Sequence, residues 1–239
     1  MLTIPYEARH TPDRKLKGAG SVTSRNAVTS RTLTEYADAV ASAEPAPGGG
    51  SVVATTAAFA AGLGEMVGRL TLARAKSATT EEQLERTLPR LARLRHRLLD
   101  LATDDENAYT AYRQALALPK DTADGQAARR VAIERALETS AQVPLAVASA
   151  CAELLEALIT VGRFGTKHAL TDVATAAYLA DAALRGAVLF VTVNASLMRA
   201  QERANELALA AAHIHERGQA ALATCLEAIE QRQPALAPR

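Results

Sequence analysis

Three consecutive glycines open a long apolar segment and are the residues of this sequence best suited to hold a ligand. They are Gly48, Gly49 and Gly50, within residues 46–51 (APGGGS), and Ser51 follows them. Glycine lets a backbone approach a ligand closely, and N–H groups at a helix N-terminus favour a carboxylate or another electron-rich group. A flexible turn with Ser51 as an ordinary N-cap explains the same run. The run alone leaves both interpretations open.

Two aspartates are candidates for proton transfer. Asp105 belongs to the acidic triplet 104–106, inside a predicted helix and four residues before Tyr109, and Asp172 begins an otherwise apolar helix. A carboxylate at the edge of a core can have a raised pKa and exchange protons with a substrate. Carboxylates in mid-helix more often lie on a solvated face, and Asp is favoured at helix starts by capping.

Basic residues add two weaker candidates. Lys120 lies in the turn 118–122 (LPKDT), from which it can reach an anionic substrate, although a surface lysine is the usual role. His168 is the one histidine near another candidate, Asp172. His213 and His215 are two residues apart, so on a helix they point to different faces and cannot chelate one ion together. We therefore expect no metal site.

Composition limits the class of protein. Hydrophobic residues make up 49% of the 239 residues, aromatic residues only 3%, and Trp is absent, which favours helices packed through Ala, Leu and Val. The net charge of +1 gives no indication of nucleic-acid binding. Residues 51–63 are too short and too interrupted to span a bilayer, and residues 1–31 lack the apolar core of a signal peptide. Cys151 and Cys225 are expected to be reduced and buried, so we expect a cytoplasmic protein without membrane contact.

Periodicity predicts an all-α fold, a bundle of about six long helices. We divide the chain into a flexible basic arm (residues 1–31), one helical domain (residues 32–230) and a frayed C-terminus (residues 231–239). Thr32 and Glu35 have capping-box spacing, and Ser51 is the expected N-cap of the second helix. The remaining predicted features are a capping signal at residues 79–83, a kink or break at Pro89, a helix over 126–161 bent at Pro144, a helix from Thr171 or Asp172 that includes the β-branched run 188–193, and a last helix over 199–230.

In order and spacing, these segments resemble the cyclodeaminase/cyclohydrolase family. This family includes the C-terminal domain of formiminotransferase-cyclodeaminase and the stand-alone methenyltetrahydrofolate cyclohydrolases. The resemblance extends from about residue 32 to residue 196. It rests on residues 46–51, 66–67, 70–72, Asp105 with 108–109, 118–122, 143–145 and 171–172.

The resemblance implies an all-α homodimer that binds a reduced folate between its helices. The family either cyclises a 5-formimino group to 5,10-methenyltetrahydrofolate with loss of ammonia, or hydrolyses the methenyl bridge. It implies no metal and no cofactor apart from the tetrahydrofolate substrate. By match, the residues Gly48 to Ser51 would line the pocket, Asp172 or Asp105 would transfer the proton, and Lys120 would lie near the charge of the substrate.

Two segments depart from the family pattern. Residues 69–77 read RLTLARAKS, where the family commonly has NLTLGKKKY. The basic character of Arg74 and Lys76 is kept, but the Asn and the Tyr are not. Residues 165–174 lack the asparagines and the glycine usual beside Asp172. We assign substrate binding to Arg74, Lys76, Tyr109 and His168 together with the glycine run.

Three functions are compatible with these residues. The first is a folate enzyme, the second a catalytically silent bundle used for protein–protein contact, and the third an enzyme acting on another amidine. The retained glycine run, Lys120 and both aspartates favour an enzyme. A pocket lined by Asp172 and Lys120 together would favour it further.

Overall fold

Six α-helices and three short 3₁₀ helices make up residues 28–236, the part of the chain that the computed structural model describes. The described residues contain no β-strand, so the all-α prediction is confirmed, with α1 short and the other five helices long. The helices are α1 (Leu33–Val40), α2 (Gly49–Leu72), α3 (Ala78–Leu116), α4 (Ala123–Phe164), α5 (Leu170–Ser196) and α6 (Gln201–Arg232), and the 3₁₀ helices are Val28–Ser30, Lys167–Ala169 and Pro234–Leu236.

The predicted helix starts are partly right. The Thr32–Glu35 capping box of α1 is confirmed: Glu35 N donates to Thr32 Oγ1 at 3.2 Å, and Thr32 N donates to Glu35 Oε2 at 2.7 Å. Ser51 is not the N-cap of α2, because Gly48 takes that position and the Ser51 hydroxyl is engaged with other side chains. The capping signal at residues 79–83 was also wrong, since Ser77 is the N-cap of α3 and makes no side-chain capping bond.

Proline does not break the two longest helices. Pro89 lies inside α3 and Pro144 inside α4, and both helices continue through them. The lost backbone hydrogen bond is tolerated in α3 because Leu84, Leu88 and Leu91 bury the same stretch against the bundle. The run 188–193 is helical, as predicted, within α5.

The core is built from small side chains, as the composition predicts. α4 packs against α3, α5 and α6, and α2 packs against α3 and α5. Close approach of these helices is possible because buried alanines face one another across α2, α4 and α5. Cys151 and Cys225 are free and buried, as expected, and burial raises the pKa of each thiol to about 12.

The helices α2 and α5 run antiparallel, and this arrangement decides which residues meet. At the N-terminus of α2, Gly49 lies against Phe190 near the C-terminus of α5. At the other end, Thr166 N, just before α5, donates to Thr71 Oγ1 at 2.8 Å. The start of α2 and the end of α5 therefore lie at one end of the bundle.

The predicted flexible segments include residues that are packed or helical. Residues 28–31, which we assigned to the arm, contact α3: Val28 is buried and its N–H donates to Thr103 Oγ1 at 3.2 Å. The rest of the predicted arm, residues 1–27, lies outside the described residues. In the predicted frayed C-terminus, α6 extends to Arg232 and a 3₁₀ helix covers Pro234–Leu236, while residues 237–239 also lie outside.

Three helical segments are long and apolar enough to cross a membrane when only length and composition are considered. They are Gly49–Leu72, Ala123–Phe164 and Lys167–Ser196, and 61%, 61% and 39% of their most apolar windows are buried within the fold. From the sequence, only residues 51–63 were considered, a segment too short to span a bilayer, and the apolar residues that continue α2 to Leu72 were not counted.

Candidate active site

A cavity of about 330 Å³ opens at the N-terminus of α2. The α1–α2 connection and helices α2, α3, α4 and α5 all contribute to its wall. Its volume lies at the lower end of the range of small-molecule sites, and a mainly apolar wall with a few polar groups is typical of them. The lining residues are Pro45, Ala46, Gly48, Gly49, Gly50, Asp105, Ala108, Tyr109, Tyr112, Leu137, Ser140, Phe190, Val193, Asn194 and Leu197.

The glycines are required because two side chains press against the start of α2. A Cβ at Gly50 would overlap the Asp105 carboxyl group, and a Cβ at Gly49 would lie 2.6 Å from Phe190 Cζ. Any other residue at Gly50 would displace Asp105 or the helix itself. The glycine run therefore brings the backbone of α2 into contact with the carboxylate, rather than forming a flexible turn.

Asp105 has the electrostatic properties of a proton-transfer group. Its pKa is raised from 3.8 to about 6, chiefly because burial disfavours the charged carboxylate. A hydrogen bond from the backbone N–H of Ser51 lowers the pKa and partly offsets this effect, whereas the nearby charge of Glu106 raises it. A carboxyl group with this pKa is present in both protonation states near neutral pH, so it can accept a proton and return it.

Behind Asp105, a buried polar network joins α1, α2 and α3. The Ser51 and Tyr36 hydroxyl groups are 2.9 Å apart, and Ser51 Oγ donates to Glu106 Oε1 at 3.3 Å. Thr55 Oγ1 lies 3.3 Å from the Tyr36 hydroxyl oxygen. Glu106 is also paired with Arg31, with Nη2 and Oε2 2.9 Å apart. Hydrogen bonds satisfy the polar atoms of this network, which fixes the side chains around the first turn of α2.

Sequence reasoning missed several of these residues. Arg31 was assigned to the arm, Tyr36 was not identified as a site residue, and Glu106 was part of the acidic triplet without a role. Of the lining residues, Phe190 and Asn194 come from the end of α5, about 140 residues after the glycine run. Nothing local marks them, because only the antiparallel packing of α2 and α5 brings them to the cavity. Asn194 Nδ2 donates to Ser140 O at 2.6 Å, which ties α5 to α4 at the cavity wall.

Five of the predicted site residues lie elsewhere in the same chain. Asp172 is separated from Phe190 by 18 positions of α5, about 27 Å along a helix, so it lies at the far end of the bundle. His168 is exposed beside it, and Arg74 and Lys76 are exposed after the C-terminus of α2, at that same end. Lys120 is exposed in the α3–α4 turn, outside the cavity wall.

In the described part of one chain, Asp172 and Lys120 therefore lie far apart, and neither belongs to the wall of this cavity. The structure brings together the glycine run, Asp105 and Tyr109, with Ser51 buried directly behind them. Among the described residues, no group of three or more His, Cys, Asp or Glu side chains is arranged to hold a metal ion.

Comparison with known proteins assigns the family. The sequence model of formiminotransferase-cyclodeaminase matches residues 32–213. The chain belongs to this family. Methenyltetrahydrofolate cyclohydrolase of Methylorubrum extorquens is 36% identical over 180 residues, which are 74% of this chain and 86% of that protein.

Bifunctional and structural relatives agree with this assignment. The formimidoyltransferase-cyclodeaminase of Sus scrofa is 33% identical over 164 residues, 69% of this chain but only 30% of that protein. The crystal structure of formiminotetrahydrofolate cyclodeaminase from Thermotoga maritima superposes with a TM-score of 0.73 at 25% identity, covering 87% of this chain and 98% of that one. The resemblance inferred from the sequence and the all-helical fold are both confirmed.

Proposed function

We propose that the protein is a folate-dependent one-carbon enzyme that opens or closes the N5–N10 bridge of a tetrahydrofolate derivative. The observation that carries the proposal is the Asp105 carboxyl group, held inside the cavity against the Ser51 N–H with a pKa raised to about 6. The cyclohydrolase and cyclodeaminase names of its relatives supply the substrate class. The reaction needs no cofactor beyond the folate itself, because it is a proton transfer coupled to addition and elimination at one carbon.

Hydrolysis of 5,10-methenyltetrahydrofolate is the first candidate reaction. The Asp105 carboxylate takes a proton from water as the water oxygen adds to the methenyl carbon, which gives a tetrahedral intermediate. The N5–carbon bond then breaks as the proton returns from Asp105 to N5. The hydroxyl group of the intermediate loses its proton to water, which leaves 10-formyltetrahydrofolate and releases the one proton that balances the positive charge of the methenyl substrate. One carboxyl group thus acts as base and then as acid, which its intermediate pKa allows.

Cyclodeamination is the second candidate, favoured by the similarity to the Thermotoga maritima structure. Here N10 of 5-formiminotetrahydrofolate adds to the formimino carbon, and Asp105 takes the proton that N10 loses. The same proton is delivered to the leaving amino group, and ammonia departs. Both reactions use the same positions of carbon and carboxyl, so this cavity serves either.

Aromatic side chains in the wall suit a flat ring system. Tyr109, Tyr112 and Phe190 all contribute to the cavity, and ring faces of this kind stack on planar heterocycles. The wall includes no Lys, Arg or His among the described residues, although the substrate carries an anionic tail. A cation for that tail therefore has to come from outside this wall.

We infer that a second copy of the chain completes the site. The helices α2 and α5 carry large exposed apolar side chains at helical spacing. They are Phe59, Met66 and Leu70 on α2, and Tyr178, Leu189 and Val193 on α5. A twofold axis perpendicular to these helices would pair the two surfaces antiparallel.

This arrangement accounts for the separation of the predicted site residues. In such a dimer, the end of the partner that carries Arg74, Lys76 and Asp172 would lie beside the glycine run of the first chain. The partner would supply the cations that the cavity lacks, and a carboxylate from Asp172. An Asp172 role at the cavity therefore depends on the dimer, whereas Asp105 acts from within the chain.

The decisive experiment follows loss of the methenyl chromophore when the purified protein is mixed with 5,10-methenyltetrahydrofolate. We expect decay faster than in buffer, abolished by Asp105→Asn and retained by Asp104→Asn, since Asp104 is exposed on the same turn. Release of ammonia from 5-formiminotetrahydrofolate, measured in parallel, identifies a cyclodeaminase. If the wild type shows neither activity, the proposal is contradicted, and a silent scaffold or another amidine substrate is favoured.

A further inference from the structure

Two charged residues outside the cavity wall lie behind Asp105. The Arg31 guanidinium contacts both carboxylate oxygens of Glu106, with Nη2 2.9 Å from Oε2 and Nη1 3.4 Å from Oε1. The two side chains are only 22% and 11% exposed. An ion pair shielded to this extent is fixed in geometry more firmly than an exposed pair.

The pair is connected to Asp105 through Ser51. Glu106 Oε1 accepts a hydrogen bond from Ser51 Oγ at 3.3 Å, and the Ser51 backbone N–H donates to the Asp105 carboxyl group. Ser51 is fully buried, so its hydroxyl and its N–H have no alternative partner in water. Moving Glu106 would therefore alter the hydrogen bond that Asp105 receives.

Residues just before α1 keep Arg31 in place. Val28 is buried against α3, and its N–H donates to Thr103 Oγ1 one helical turn before Glu106. Thr32, directly after Arg31, is held by the capping box of α1. Arg31 thus lies between two anchored residues and points at the helix that carries Asp105.

We propose that Arg31 and Glu106 are positioning residues for Asp105, which hold the Ser51 N–H against its carboxyl group and balance the charge beside it. Neither residue touches the cavity, so neither is a catalytic residue. The inference rests on the proposed function for its meaning in catalysis, but the effect on Asp105 itself is measurable without any substrate.

Apart from burial and the Ser51 N–H, the charge of Glu106 is what shifts the pKa of Asp105. From its own helix, Glu106 faces it, Asp104 is exposed beside it, and the phenols of Tyr109 and Tyr112 line the same cavity. The α1 residue Tyr36 approaches only through Ser51. Helices α2, α4 and α5 contribute uncharged groups to the wall, namely Gly49, Gly50, Leu137, Ser140, Phe190, Val193 and Asn194.

The test is the titration of the Asp105 carboxyl carbon by NMR in four full-length proteins: wild type, Arg31→Gln, Glu106→Gln and the double variant. Loss of Arg31 leaves the Glu106 charge unbalanced, so the Asp105 pKa should rise by about 0.5 to 1 unit. Glu106→Gln keeps an oxygen that can accept from Ser51 Oγ and removes only the negative charge, so it should lower the Asp105 pKa by a similar amount. The double variant removes both charges, so the two effects should largely cancel and the Asp105 pKa should lie close to the wild-type value.

Two controls separate positioning from a general effect on folding. Arg31→Lys keeps the charge and should leave the Asp105 pKa within about 0.3 units of wild type. Arg86→Gln removes a surface ion pair with Glu82 near the other end of α3 and should leave the Asp105 pKa unchanged. The same Asp105 pKa in wild type, Arg31→Gln and Glu106→Gln would overturn the proposal.

A second measurement links the pair to catalysis. The midpoint of the pH profile of kcat/KM should move in the same direction as the Asp105 pKa in each variant. If the NMR shifts occur but the wild type converts neither folate substrate, the proposed function fails and the positioning of Asp105 stands. If the protein is active and the profiles of Arg31→Gln and Glu106→Gln coincide with wild type, the positioning role fails alone.

Discussion

The Asp105 carboxyl group occupies the space that a Cβ atom on Gly50 would need. This contact joins the two most suggestive features of the sequence, the glycine run and the acidic triplet, into one site. It explains why the chain at this point must be glycine: the first turn of α2 has to approach the carboxyl group closely enough for the Ser51 N–H to donate to it.

Gly50→Ala is expected to reduce activity by at least about tenfold, because the added methyl group must displace the Asp105 carboxyl. The free energy of unfolding should fall by about 1 to 3 kcal/mol from overpacking. Initial rates with 5,10-methenyltetrahydrofolate and urea denaturation measure the two effects.

Gly62→Ala is the matched control on the same helix. Its Cβ would meet only Arg95 Cδ at 3.6 Å, so this variant should keep activity and add about 0.5 to 1 kcal/mol to the free energy of unfolding. Equal activity of the two variants would disprove the steric argument.

Asp105→Asn is expected to lower kcat by about 100-fold or more, the usual contribution of a positioned acid–base group. The wild-type profile of kcat/KM should show an inflection near pH 6, the pKa of this carboxyl group. Asp104→Asn should keep both the rate and the inflection. A wild-type profile without an inflection in this region would remove Asp105 from the proton-transfer step.

Asp105→Asn should also stabilise the protein in a pH-dependent manner. The pKa of Asp105 is higher in the folded protein than the ordinary value of 3.8, so the folded state binds the proton more tightly than the unfolded chain. The contribution of Asp105 to the free energy of unfolding is therefore fully present below about pH 4 and is lost as the pH rises towards and through about 6. Asp105→Asn avoids this loss. The free energy of unfolding of the variant minus that of wild type should therefore be about 1 to 3 kcal/mol larger at pH 8 than at pH 4. Thermal or urea unfolding at both pH values tests this, and an unchanged difference would contradict it.

The proposed dimer predicts that Leu189→Glu yields a monomer. Leu189 is 66% exposed on the apolar face of α5, so a charge there would face the partner chain. Leu209→Glu is the control, since Leu209 is 72% exposed on α6, outside that face. Light scattering after gel filtration in detergent-free buffer should give a dimer for wild type and for Leu209→Glu. A monomeric wild type would contradict the dimer. A protein that requires detergent or binds lipid vesicles would indicate that a membrane, rather than a second chain, covers this face.

Mixing of variant subunits tests whether Asp172 acts across the interface. Asp105→Asn and Asp172→Asn should each have little activity alone. Refolded together, they should regain about a quarter of wild-type activity, because half the dimers are mixed and each mixed dimer has one intact site. Full activity of Asp172→Asn by itself would remove Asp172 from the mechanism. Failure of the mixture to regain activity would show that Asp105 and Asp172 do not join in one site from different chains.

The sequence by itself determined the helical architecture and the cavity side of the site. Ala-rich periodicity predicts α2 and α5, the Thr32–Glu35 capping box sets the start of α1, and the glycine run with Asp105 and Tyr109 identifies one wall of the cavity. These features are local, because capping, helix periodicity and glycine in a close approach depend on residues near one another in the chain.

Tertiary structure decided everything that depends on how helices pack. The antiparallel pairing of α2 and α5 brings Phe190 to the glycine run and takes Asp172 to the far end of the bundle. The distances from the glycine run to these two residues depend on how α2 and α5 pack together. Burial turns Ser51 from an expected N-cap into a link between Glu106 and Asp105, and it raises the Asp105 pKa. Desolvation and contacts between distant segments exist only once the bundle has formed, and so periodicity could name Asp105 without showing that it, rather than Asp172, lies in the cavity.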